Sequence, residues 1–161
     1  MRPLLLALLF AAPAALAQAP PARIGAGLDA LVIPLRAGDV DPGVGLGLRG
    51  RVALPINSDL SAAGSVGVTA NLAGSAVLTA APQVSLIVGL PGEGPTGRYV
   101  MGGFGALVPF SGGGGGGTLH VGFGWTVPLS ETEIYFEVNP AVVVGSSDVT
   151  VAVPLRAGFI F

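Results

Sequence analysis

The chain has 161 residues, a single-domain length, and no cysteine, so disulfides cannot hold it together. Only 10% of the residues are charged, every basic one is Arg, and a net charge of −2 with no basic stripe argues against nucleic acid. Hydrophobic residues make up 51%, too many for so small a domain to cover in water, yet beyond the N-terminus no apolar run approaches the ~20 residues of a membrane helix.

Residues 1 to 17, MRPLLLALLFAAPAALA, open with Arg2 as their only charge, pass through an apolar run and finish on Ala15, Leu16 and Ala17. This is the three-part pattern of a cleaved secretory signal peptide, which leaves residues 18 to 161 as one domain. From Ile24 onward apolar residues recur at every second position, with breaks at Gly, Pro, Ser and Asp. In 44 to 56, Val44, Leu46, Leu48, Val52, Leu54 and Ile56 share one face, and Gly45, Gly47, Arg49, Arg51 and Ala53 share the other. The stretch 118 to 129 sets Leu119, Val121, Phe123, Trp125, Val127 and Leu129 against Thr118, His120, Gly122, Gly124 and Thr126. A helix would mix these sets on every side, so the period of two means strands.

The pattern predicts eight segments, at 23 to 36, 44 to 56, 60 to 72, 76 to 90, 98 to 110, 118 to 129, 133 to 145 and 148 to 161. Each exceeds the ~9 to 11 residues with which a tilted strand crosses a bilayer. Short connections make neighbours antiparallel, and an even count allows closure into a barrel without exposed edges. In the first segment Leu31, Ile33 and Leu35 fall opposite Ile24, Leu28 and Val32, a change of phase that a bulge or departure from the bilayer would explain. Pro55 and Pro128 each stand at a strand end before a polar turn with an acid, and these two turns are expected at one end of the barrel.

With the apolar face outward, the inward residues include Arg49, Arg51, Glu133, Glu137, Asp148 and Arg156. A two-residue turn at Ser146 and Ser147 would pair Gly145 with Asp148, bring Glu137 opposite Arg156, and set Val138 against Leu155 and Ile134 against Phe159. A looser count puts Asp29 near Arg51. The belt Asp29, Arg49, Arg51, Glu133, Glu137 and Arg156 is expected either to plug the lumen or to form a constriction selecting ions. Gly, Ser, Thr and Ala elsewhere on the inner face leave room for water, which keeps a pore in play.

His120 is the only histidine and is expected inward near the outer mouth, in the region of Ser111, Asp39 and Asp41. One histidine with partners on loops is too little for an active site, and with no cysteine it offers too few ligands for a metal. No catalytic activity, cofactor or metal is expected. The glycine run from Ser111 to Thr118 lacks the Lys and helix of a phosphate-binding loop and reads as a hairpin connection.

The signal peptide, the eight amphipathic strands and the final VTVAVPLRAGFIF together resemble the small eight-stranded outer-membrane barrels of the OmpA and OmpX kind. The resemblance implies an all-β, antiparallel up-and-down barrel and residence in the bacterial outer membrane as a monomer. It also implies that the closing strand, with Val149, Val151, Val153, Leu155, Phe159 and Phe161, is an insertion signal read by the barrel assembly machinery. Two features depart from that pattern: few Tyr or Trp for interfacial girdles, and short outer loops that argue against an adhesin. The expected function is a structural, envelope-maintaining barrel in contact with lipid, its lumen largely plugged. A narrow passive pore for small polar solutes or ions, and a soluble exported lipid-binding barrel, are the alternatives.

Overall fold

The computed structural model describes residues 21–33, 43–72, 77–92, 97–111, 115–145 and 149–161. The signal peptide, Asp39, Asp41, Ser146, Ser147 and Asp148 lie outside these residues. Among the described residues are nine strands: β1 (Arg23–Ile33), β2 (Gly43–Pro55), β3 (Leu60–Asn71), β4 (Leu78–Leu90), β5 (Gly97–Pro109), β6 (Gly116–Leu129), β7 (Thr132–Val138), β8 (Ala141–Val144) and β9 (Val149–Ile160). Each pairs antiparallel with its neighbours, and β1 pairs with β9 from Gly25↔Ile160 to Val32↔Val153. The sheet is therefore a closed barrel with no free edge.

The seventh predicted segment is the one that departs in shape, since it is divided into β7 and β8 at Asn139 and Pro140. Proline has no N–H to give the ladder. The ladder continues around the break nonetheless: Asn139 N donates to Pro154 O at 3.0 Å and Val121 N to Pro140 O at 3.1 Å. No residue slips, because β6 meets Val138 at Phe123 and Ala141 at His120. β7 and β8 are thus two halves of one stave, and the barrel has eight staves.

The staves are strongly tilted. Paired residues followed around the barrel run from Arg23 through Ala53, Ala63, Ser85, Gly103, His120 and Ala141 to Ala152. Ala152 stands beside Val153, the partner of Val32, so one circuit climbs from the start of β1 to near its far end. Phe161 completes the seam beyond the last strand residue, donating its N–H to Ile24 O at 2.8 Å and accepting from Ile24 N at 3.4 Å.

Alternation sends the large apolar side chains outward, where Leu48, Phe104, Leu119, Val121 and Phe161 are exposed. The inner face holds the buried polar residues, among them Asp29, Arg49, Arg51, Gln83, Ser85, His120, Glu137 and Arg156. This arrangement is inverted relative to a water-soluble carrier, whose lumen would be the apolar side. The change of phase in β1 is not a bulge. Its pairing with β2 is continuous from Arg23↔Ala53 to Ile33↔Gly43, so Leu31 and Ile33 turn inward and add apolar surface to the upper lumen. Of the two proline-marked turns, Leu129↔Thr132 closes over two residues, whereas the other is held by Asn57, whose Oδ1 accepts from Asp59 N at 2.9 Å and Leu60 N at 2.8 Å. Both lie at the end where the barrel is zipped by Phe161, here called the lower end.

Candidate functional site: a charge belt across the lumen

Five charged side chains from four staves meet at mid-lumen, and all are buried. The register sets Glu137 opposite Arg156, Val138 opposite Leu155 and Ile134 opposite Phe159, as the short turn requires. Asp29 is placed differently from expectation. β1 and β2 pair Asp29 with Gly47 and Arg51 with Gly25, so Asp29 falls within reach of Arg49 instead of Arg51. Its Oδ2 accepts from Arg49 Nε at 2.7 Å and lies 2.6 Å from Arg49 Nη2, a two-pronged pair.

Arg51 reaches across to Glu137, whose Oε1 accepts from Arg51 Nη1 and, at 2.8 Å, from the Tyr99 hydroxyl. The Arg51 guanidinium also lies 4.7 Å from the centroid of the Tyr135 ring. Arg156 stands between the two carboxylates, with Nη1 at 3.4 Å from Glu137 Oε2 and Nε at 3.5 Å from Asp29 Oδ1. Neutral oxygens complete the network. Gln83 Oε1 accepts from Arg156 Nη2 at 2.9 Å and from Arg49 Nη1 at 3.2 Å, and Ser65 Oγ accepts from Arg49 Nη1 at 2.9 Å. Asn139, fully buried, accepts from Arg156 Nη1 at 2.6 Å when its amide oxygen faces the guanidinium.

Glu133 lies apart from this network. It faces inward at the lower mouth and pairs with Arg23 at 2.5 Å, both side chains partly exposed. The belt separates two cavities that share no lining residue. Below it lies a vestibule of about 190 Å³, bounded by Arg51, Tyr99, Ser61 and Ile160. Above it is a chamber with about 20 Å³ of room for water, bounded by Arg49, Gln83, Thr118, Leu31 and Pro154.

No family model matches the chain, and no curated protein matches it. Solved structures do. Neisserial surface protein A superposes with a TM-score of 0.73 at 16% identity, over 88% of this chain and 97% of that one. The N-terminal β-barrel domain of Pseudomonas aeruginosa OprF gives 0.58 at 14% identity, over 89% and 100%. Ail, the attachment invasion locus protein of Yersinia pestis, gives 0.53 at 13%, over 87% and 97%. The fold is that of the small eight-stranded outer-membrane barrels. At such identities the likeness carries the architecture, and the roles of individual residues rest on the geometry above.

His120 is buried at mid-barrel, not poised at the outer mouth. Its Nε2 shares a 2.9 Å hydrogen bond with Ser85 Oγ, and its Nδ1 has no partner. A serine nucleophile needs its histidine oriented by a third group and needs space for a substrate; this pair has neither orienter nor access. Ser111 is exposed beyond the end of β5. Among the described residues no group of three or more His, Cys, Asp or Glu could hold a metal.

Sequence reading missed Tyr99, Tyr135, Gln83, Ser65 and Asn139 as members of the belt. Tyr135 was legible, since it shares parity with Glu133 and Glu137. Tyr99 was hidden because β5 carries apolar residues on both faces, Tyr99 and Met101 inward, Val100 and Phe104 outward. The thin aromatic girdle has its explanation here, because both tyrosines of the chain are spent in the lumen. Outside, Trp125 stacks on Phe136 at 5.4 Å and lies 6.2 Å from Phe123 in a cluster towards the lower end.

Proposed function

We propose that this protein is an integral barrel of the bacterial outer membrane that serves the envelope structurally, with a lumen closed by the charge belt. The observation that carries the reading is the ion-pair network of Asp29, Arg49, Arg51, Glu137 and Arg156 between two cavities that share no lining residue. Oppositely charged groups paired across staves tie the walls together and block the water path between the mouths. Outside, the exposed apolar staves suit hydrocarbon and would be untenable in water. Lipid is accordingly the principal partner. Phe159 and Phe161, outward on the closing strand, are the features that assembly machinery would read, and no catalytic role is assigned.

A narrow pore is the second reading, favoured by the alignment of a vestibule below the belt with a chamber above it. It requires the ion pairs to open. Two inner glycines do not help it, because neighbouring side chains already occupy the space they leave. A Cβ at Gly124 would lie 2.3 Å from Tyr99 Cζ, and one at Gly67 would lie 2.6 Å from Arg49 Nη2.

The test of membrane residence and closure is mobility in SDS gels of the membrane-fraction protein, unboiled against boiled. A shift is expected, because a closed barrel resists unfolding in detergent until heated. Recovery in the soluble periplasmic fraction without a shift would overturn the reading.

A further inference from the structure

The belt is one negative charge short. Among the described residues the buried charged side chains are three guanidiniums, Arg49, Arg51 and Arg156, and two carboxylates, Asp29 and Glu137. Arg49 holds Asp29 by two close contacts and Arg51 holds Glu137, so Arg156 is the surplus cation. It meets both carboxylates only at 3.4 and 3.5 Å, and its shorter bonds go to neutral oxygens of Gln83 and Asn139. An uncompensated buried charge is costly, and a site that contains one attracts a mobile counter-ion.

We propose that the lumen binds one small monovalent anion, of halide size, in the chamber above the belt. This deepens the closed-lumen reading and rests on it. The chamber is lined by Arg49, by Gln83, which bonds Arg156, and by Thr118. Thr118 Oγ1 is a buried hydroxyl with no hydrogen-bond partner, and it supplies the donor that an anion would use. Asp29 also lines the chamber, but it is flanked by Arg49 and Arg156, so the local balance stays positive. The chamber is small, with about 20 Å³ of room for water, and the apolar part of its wall, Leu31, Leu107 and Val143, suits a weakly hydrated ion.

The experiment follows thermal unfolding of the folded barrel in neutral detergent, in sodium bromide against sodium gluconate at equal ionic strength. The midpoint is expected to climb with the logarithm of bromide concentration and to stay level in gluconate, the signature of a bound ligand as opposed to screening. Gln83→Glu places a carboxylate where Oε1 already meets Arg156 and Arg49, and is expected to abolish the bromide dependence. Thr118→Val is expected to weaken bromide binding by about tenfold. Equal midpoints in the two salts, or undiminished bromide dependence in Gln83→Glu, would overturn the proposal. If that variant does not fold, bromide anomalous scattering from crystals of the wild type decides: a peak between Arg49 and Thr118 supports the site, and peaks confined to the outer surface refute it. Ion conductance is read separately. A conducting barrel that binds bromide loses the closed lumen and keeps the anion, whereas a closed barrel indifferent to bromide loses the anion alone.

Discussion

The two walls of the lumen are built on different terms. On one side β1, β2, β7 and β9 contribute every buried charge among the described residues: Asp29, Arg49, Arg51, Glu137 and Arg156. On the other, β3 to β6 offer neutral groups and glycine, among them Ser65, Gly67, Gln83, Ser85, His120 and Gly124. The neutral wall is shaped by what leans into it, since Arg49 occupies the space over Gly67 and Tyr99, itself from the neutral side, occupies that over Gly124. A small barrel thus fills its interior by pairing long polar side chains with residues that have none. The charged wall supplies attraction and the neutral wall supplies room and hydrogen-bond acceptors.

Breaking the charged wall should cost most. Glu137→Gln removes the counter-charge of Arg51 and one of the two carboxylates near Arg156, and should destabilise the barrel by about 3–5 kcal/mol in urea unfolding monitored by gel shift. Filling the neutral wall should cost less. Gly124→Ala pushes a methyl group into the Tyr99 ring and should cost about 1–3 kcal/mol, with a smaller penalty when Tyr99 is first cut back to Ala. A full additive penalty in the double variant would show that the two residues do not share that space. Arg23→Gln, at the half-exposed mouth pair with Glu133, should shift stability by less than about 1 kcal/mol and fade further in high salt. An effect as large as that of Glu137→Gln would place the mouth pair in the same energetic class as the belt.

Much of this architecture was legible in the alternation of residues. Period two fixed which side chains face out, because a strand offers only two faces and the apolar one is unmistakable in β2 and β6. The opposition of Glu137 and Arg156 followed from the shortness of one turn. Asp29 was misplaced because the first connection is long enough to permit several registers, and only pairing along the whole of β1 selects one. Contacts across the lumen, such as Arg51 with Glu137 and Arg49 with Gln83, depend on barrel tilt and stagger, which no single strand encodes. The break at Asn139 and Pro140 is local, yet its consequence, an amide buried against Arg156, appears only after closure.

The most direct test of the closed lumen is conductance of the purified, folded barrel in planar lipid bilayers. The account predicts no steady ion current through the wild type, with current appearing in Glu137→Gln or Arg156→Gln as the belt loses a member. A sustained current through the wild type, unchanged by either substitution, would contradict it.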